Sequence, residues 1–391
     1  MAHAALGGYM PCDVPRIDVS RATTDEYREF MLKLVSMIRR KEVEELLAKK
    51  LREAKSEKPR VERRNTDRGD VFRVRAYILA TDVSVESFEG VAIPLRIVTN
   101  GTMVAKNGVV ELYYRLGSLA TPPLGCWNDR TFIGYSRVGL DELRGRVRLA
   151  SKPVLYPLLS MECTEDPRID PDDPMVMTHV RGHYRFWKLM DMHVYVLTMI
   201  SRRLDDGSVT EIEPVAFRWV DGSLFLYRDY RDTFPLNSKF MVTRPWIEEL
   251  DTGVPFVGPR EWNVVEAKEL RTWPELVVTS DEVKTGGNCS AKLSSNEYLV
   301  LFHSVDRYFG CYYTYAAVFS SDGELLGVSP EPVISPKPRV FWGTRPSTVF
   351  ACGIQVVKDR VLVSAGKDDE VLLILEASLD ELISKIRFFK G

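Results

Sequence analysis

Apolar residues between Thr23 and about Lys58 recur at helical spacing. Tyr27, Met31, Leu34 and Ile38 fall at i, i+4, i+7 and i+11 and make one stripe, which the charged run Arg39 to Glu42 interrupts and Val43, Leu47 and Leu51 resume. Thr23 and Glu26 carry a capping-box signature at the start, and Pro59 stops the pattern. The spacing predicts one broken helix or two in succession, with the stripe packed on the rest of the protein or on a second subunit. An arginine-rich connector, "KPRVERRNTDRGD", follows.

After Val71 the period changes from helical to alternating. Segments such as "VVELYYRL", "TFIGYSRV", "HVYVLTMI", "PVAFRWVDGSLFLYR", "EYLVLFHSV", "YYTYAAVFSSDGELLGV" and "IQVVKDRVLVSAGKDDEVLLIL" are rich in β-branched and aromatic residues. Asp221-Gly222 and Asp322-Gly323 mark tight hairpins. This texture continues to the last helical stretch, "SLDELISKIRFF", which Ser378 and Glu381 open as a second capping box. So many short strands exceed what one sandwich needs, and radially repeated sheets accommodate them with short protected edges. The expected architecture is an all-β propeller (residues 71–391) behind an N-terminal helical extension and linker (residues 1–70), with a short C-terminal helix. No Trp-Asp-like repeat marks the blades, so their number is not readable from periodicity.

Charge narrows the partners. The 391 residues include 53 basic and 55 acidic side chains, a net charge of −2, so no global field recruits nucleic acid or an anionic membrane. The connector after Pro59 interleaves acids with its arginines and has no aromatic to stack bases, which reads as a solvated linker. The first residues lack a basic stretch followed by an apolar one, and no apolar run approaches the ~18 residues of a membrane span, so a cytoplasmic location is expected. The sequons at Asn100 and Asn288 then read as coincidence. Cys12, Cys126, Cys163, Cys289, Cys311 and Cys352 form no C-x-x-C pair, which predicts reduced and mostly buried thiols. His179, His183 and His193 have no carboxylate at a convincing ligand spacing, and no metal is expected.

In a propeller, polar residues on the inner strands converge on one axial ligand. Five places stand out: Asn100 in "IVTNGTMV", Arg115 closing "ELYYR", Glu165-Asp166-Pro167-Arg168, His303 closing "YLVLFHSVD", and Asp368 in "SAGKDDE". Taken alone, each has a plain structural alternative: a turn carboxylate, a sheet-edge arginine, a hydrogen-bonded core histidine, a solvated hairpin.

Their order resembles glycoside hydrolase family 130, the β-mannoside phosphorylases and related β-mannosidases. Asn100 stands where that family has an Asn-Pro-Gly turn, and Arg115 ends its Leu-Tyr-Arg strand. "PVLYP" before "TEDPRI", "TFPLNSKFMVTRPW", "VKTGGNCSAKLSSNEYLVLFHSVD" and "SAGKDDEVLLILEASLDELI" match later stretches in sequence from about Gly90 to Leu382. The resemblance implies five blades and inverting cleavage of a β-mannoside, by phosphate or by water. It places Asp166 as the acid, donating by way of the mannose 3-hydroxyl. Asn100, Arg115 and Asp368 hold the mannosyl unit, with Glu165 and Arg168 positioning and tuning the site. Arg244, Lys284 and His303 hold phosphate, the only co-substrate expected besides the oligosaccharide; no cofactor is implied. An inverting reaction needs an acid for the leaving oxygen, and an anionic nucleophile needs cations where hydrolysis would need a base.

The departures are as informative. In a gapless register Asp229 and Tyr230 replace a basic residue and an asparagine that touch phosphate, and Arg231 substitutes only if the loop shifts. Thr243 stands for a histidine, and Ser304 for a glycine. Phosphate or water therefore stays open as nucleophile. Glu261 and Glu266 are the candidates for the glutamates of the family's hydrolases. A non-catalytic sugar-binding propeller is the competing class, and a scaffold assembling through its N-terminal helices is a third.

Overall fold

The structure, a computed structural model, describes residues 13–38, 41–118, 131–159, 162–186, 192–336, 343 and 345–389, and no side chains between 183 and 194. Its strands form five radial sheets, the blades of a propeller, and one two-stranded ribbon, Trp246–Ile247 with Thr252–Gly253. From the axis outward, blade 1 runs Leu95–Lys106, Val109–Ser118, Thr131–Gly139, Leu149–Leu155 and Val83–Val85. Blade 2 runs Glu162–Ile169, Val176–Phe186, Met192–Arg203, Val209–Pro214 and the short Ile17–Asp18. Blade 3 starts from Phe234–Pro235 and Phe240–Thr243 and ends at Leu224–Phe225. Blade 4 comprises Glu282–Lys292, Glu297–Asp306, Tyr312–Ser320, Leu325–Val328 and Arg387–Phe388. Blade 5 comprises Val349–Val357, Arg360–Lys367, Val371–Ser378, Arg73–Ile78 and Gly145–Arg146.

Blade 5 closes the ring with strands from both ends of the chain. Arg73 pairs with Glu376 and Ile78 with Leu372, so this early strand becomes the fourth of the last blade, and Gly145–Arg146 pairs on its other side. Inner strands are packed on both faces and read as nearly continuous burial, as in Leu95–Lys106, whereas the outer Arg73–Ile78 is mostly exposed with Ala76 and Ile78 turned inward. The two Asp-Gly turns are tight hairpins: Gly222 donates to the Trp219 carbonyl at 3.0 Å and Gly323 to that of Ser320 at 3.0 Å, both with φ near +80° or +70°.

The N-terminal stripe forms two helices, α1 (Thr24–Ser36) and α2 (Lys41–Ser56). Thr23 and Glu26 make the reciprocal capping box. Tyr27, Phe30 and Leu34 of α1 and Val43, Leu47 and Leu51 of α2 bury in one cluster with Ile200, Ile212, Phe217 and Phe225 of blades 2 and 3 and with Ile247 of the two-stranded ribbon. The stripe is thus satisfied by the propeller itself. The last helix, α3 (Leu379–Ser384), is shorter than its sequence pattern suggests. Lys385 and Ile386 donate to carbonyls three residues back and tighten the end, after which Phe388 pairs with Gly327 as an edge strand. No helix among the described residues is long and apolar enough to cross a membrane.

Candidate active site

A cavity of about 110 Å³ opens on the axis, lined by Asn100, Arg115, Cys163, Glu165, Asp166, Arg231, Asp232, Lys284, Tyr312, Arg345, Thr348, Phe350 and Asp369. Each blade contributes. Asn100 and Arg115 come from blade 1, Glu165 and Asp166 from the inner strand of blade 2, and Arg231 and Asp232 from the approach to blade 3. Lys284 and Tyr312 belong to blade 4, and Thr348, Phe350 and Asp369 lie at the start and second turn of blade 5.

Two bulges aim the first residues inward. Asn100 (φ 42°) and Asp166 (φ 53°) both adopt left-handed backbone, where their strands shift register against their neighbours, and the Asn100 amide Nδ2 donates to Asp166 Oδ1 at 2.9 Å. Burial and the adjacent Glu165 push the Asp166 pKa above its ordinary value, against the pull of Arg168 and Arg115. Glu165 itself lies 3.0 Å from the Arg115 guanidinium. Asp166 therefore holds its proton more firmly than a solvated aspartate does, as a general acid must. Gly366 makes room for this pair, since a Cβ there would stand 1.9 Å from Asn100 Oδ1 and 2.2 Å from Thr99 Oγ1. Gly366→Ala is expected to cost about 1–3 kcal/mol in chemical denaturation and to lower turnover by displacing Asn100; wild-type stability and rate would contradict that packing.

The cationic side of the cavity differs from the sequence expectation in detail. Arg231 does line it, and Asp232 with it. Tyr230 sinks fully into the core, and Asp229 bridges to the Arg231 guanidinium at 3.1 Å. Lys284 lines the cavity with its ammonium 5.3 Å from the Tyr312 ring centre, and Arg345 Nη1 donates to the Tyr312 hydroxyl at 3.1 Å. Burial alone would raise the Tyr312 pKa, but Lys284 and Arg345 bring it below the usual phenol value. Tyr312 and Arg345 are residues the sequence reading missed, since neither sits in a motif.

Arg168, Arg244 and His303 stand one layer behind the lining. Arg168 donates Nε to the Asn288 carbonyl at 2.7 Å, Nη1 to the Asp166 carbonyl at 3.1 Å and Nη2 to Asp232 Oδ1 at 2.9 Å. Arg244 Nε donates to Asp232 Oδ2 at 2.6 Å. His303 is fully buried, with Nδ1 2.7 Å from Asn288 Oδ1, and burial drives its pKa well below the ordinary imidazole value, so it is neutral. These three residues shape the site from beneath. Gly286 lets them close, because a Cβ there would meet His303, Asp232 and Arg244 within 3.0 Å.

Asp368, expected at the sugar, turns away. It and Asp369 have φ of 54° and 57°, and this paired left-handed turn puts Asp369 in the cavity, while Asp368 is fully buried and accepts from the Thr348 amide at 3.2 Å and from Lys367 Nζ at 2.9 Å. Glu261 and Glu266 do not line the cavity; they end the two middle strands of blade 3, where both face Arg218. Asn288, like Asn100, is buried, which closes both sequons to modification in the folded protein. Cys163, Cys289, Cys311 and Cys352 are free thiols, and Cys12 and Cys126 lie outside the described residues. His179 is buried beside Arg181, while the side chains of His183 and His193 lie outside the description. No group of three metal-ligating side chains occurs among the described residues.

The sequence matches the family of β-1,4-mannooligosaccharide phosphorylases over residues 62–387, most of the chain. No curated protein sequence matches it. Among solved structures, β-1,2-mannobiose phosphorylase from Listeria innocua, in complex with β-1,2-mannobiose, superposes with a TM-score of 0.56 at 16% identity, over 75% of this chain and 92% of that one. The mannose phosphorylase MPT-4 from Leishmania mexicana, in complex with phosphate, superposes with a TM-score of 0.53 at 14% identity, over 82% and 92%. The propeller and the ordered motifs carried by its inner strands thus have a common source: the chain belongs to glycoside hydrolase family 130 and is an enzyme of that family of β-mannoside phosphorylases and hydrolases.

Proposed function

We propose that the protein cleaves β-mannosides by phosphorolysis, with Asp166 as the acid and a phosphate held by Arg231, Lys284, Arg345 and the Tyr312 hydroxyl. The carrying observation is the division of the cavity. Blades 1 and 2 supply a carboxyl group of raised pKa with sugar-sized polar neighbours, and the other blades supply three cations and a phenol. The remaining carboxylates are engaged with arginines: Glu165 with Arg115, Asp232 with Arg168 and Arg244, and Asp369 with Arg345 at 3.6 Å. Asp232 keeps acceptor capacity towards the cavity, but Arg244 and Arg168 hold its pKa far below the ordinary carboxylate value, so it is a poor base for water, whereas a phosphate oxygen is already nucleophilic and needs only to be positioned.

In this reading Asn100, Arg115 and Asp369 hold the mannosyl ring between Asp166 and the phosphate. A phosphate oxygen bonds to the anomeric carbon as the glycosidic C–O bond breaks. The leaving oxygen takes the proton that Asp166 supplies by way of the mannose 3-hydroxyl; the phosphate ester gives up its own proton to solvent, and Asp166, on the opposite face of the sugar, is reprotonated from solvent when the products leave. The products are α-mannose 1-phosphate and the shortened sugar, as inversion requires. The initial rate on β-1,4-mannobiose should rise from near zero to saturation with phosphate concentration. A rate that is independent of phosphate would sink the proposal in favour of hydrolysis. Turnover of no β-mannoside, with sugar binding retained, would favour a binding propeller.

A further inference from the structure

The cationic side of the cavity has an anion built into it. Asp232 is 2% exposed, lines the cavity, and has left-handed backbone (φ 58°). Burial would raise its pKa, but Arg244 and Arg168, with Lys284 beyond them, hold it far below the ordinary carboxylate value, so it carries a full negative charge. Each of its oxygens accepts one hydrogen bond, Oδ1 from Arg168 and Oδ2 from Arg244, and a carboxylate has about four acceptor positions, so acceptor capacity remains towards the cavity. The arrangement has two consequences for an incoming oxyanion. Arg231, Lys284 and Arg345 attract it, while Asp232 repels any oxygen that cannot bring a proton.

We propose that Asp232 makes this subsite selective for a protonated oxyanion, phosphate and not sulfate, by accepting a hydrogen bond from the ligand's own hydroxyl. The inference rests on the phosphorolysis reading of the cavity. Phosphate near neutral pH keeps at least one proton, which turns the meeting of two anions into an O–H···O⁻ hydrogen bond. Sulfate has the same shape and charge but no proton, so it leaves Asp232 facing a bare anion in a desolvated site. A site built to bond a ligand hydroxyl rejects the analogue lacking it by large factors, up to about 10⁴–10⁵ where the polar partner is buried. The same contact holds the phosphate in one rotation, with its hydroxyl on Asp232 and its bare oxygens free for the cations and the anomeric carbon.

Calorimetric titration of the full chain with phosphate and with sulfate, with and without mannose, tests this. Wild type should bind phosphate at least about a hundredfold more tightly than sulfate, and Asp232→Asn, which replaces an acceptor oxygen by a donor, should bring the two within about tenfold, chiefly by admitting sulfate. Equal binding of both anions by wild type overturns the inference and leaves phosphorolysis standing. Binding of neither overturns both. A folded Asp232→Asn that still rejects sulfate shows that discrimination lies elsewhere and also overturns it. Should the variant fail to fold, wild-type thermal unfolding decides: phosphate must raise the midpoint and sulfate at equal ionic strength must not.

Discussion

Asp166→Asn is expected to lower kcat on a β-mannoside by about 10²–10⁴-fold, the usual share of a general acid, with a much smaller change in KM. The substitution is nearly isosteric and keeps an oxygen for the Asn100 amide, so the bulge that aims the residue survives. Only the transferable proton is lost. The pH profile separates this from a positional effect. An aspartate whose pKa is raised from the ordinary 3.8 by burial and Glu165 retains its proton to higher pH, and the active form is the protonated one. Wild-type kcat should therefore fall as pH rises through that raised pKa, and the residual activity of Asp166→Asn should lack this alkaline limb. A variant with wild-type kcat, or one that keeps the limb, would remove Asp166 from the role. His303, neutral in its buried position, adds no protonation of its own to the profile.

Glu162→Ala is expected to destabilise the protein by about 3–5 kcal/mol, the largest stability effect foreseen, because it strands a buried cation. Glu162 and Arg181 form a fully buried ion pair, closed by the Tyr27 hydroxyl of α1, which donates to Glu162 Oε1 at 2.6 Å and accepts from Arg181 Nη1 at 2.9 Å. Glu162 Oε2 also accepts the backbone amides of Leu158 and Leu159. Without the carboxylate, Arg181 faces His179, which burial and Arg181 itself already keep neutral, and no other carboxylate partner is described for it. Equilibrium denaturation should show the loss, and Glu162→Ala with Arg181→Ala should cost less than the sum of the single changes. Tyr27→Phe, which removes one hydrogen bond and no charge, should cost only about 1 kcal/mol. A Glu162→Ala loss under about 1 kcal/mol would mean that the pair is dispensable and that apolar packing alone docks α1.

Much of this protein is visible in its local patterns. The helical stripe ending at Pro59, the two Asp-Gly hairpins and the alternating segments each encode their own element, because period and turn chemistry are local properties. Blade number and ring closure are not local, since Arg73–Ile78 completes a sheet whose other long strands begin nearly three hundred residues later. The C-terminal helix shows the same limit: Arg387 and Phe388 continue a helical pattern and are captured by the edge at Gly327 and Val328 instead.

Asn100, Arg115, Glu165 and Asp166 stand in short motifs and line the cavity together. Asp368 and Asp369 could not be told apart, because the choice depends on two successive left-handed residues. Arg231 and Asp232 reach the cavity from a connecting segment between the buried Tyr230 and Phe234, a placement that no local pattern encodes. Tyr312 and Arg345 come from a strand start and a connecting segment without any motif, and only the closed ring brings them beside Lys284.

The most direct test of the account is to follow β-1,4-mannobiose in phosphate buffer by proton and phosphorus NMR from the first turnovers. Phosphorolysis with inversion predicts that inorganic phosphate is consumed and that α-mannose 1-phosphate and one mannose appear together in equal amounts. Two equivalents of free mannose with the phosphate signal unchanged, or a β-configured ester, would contradict it.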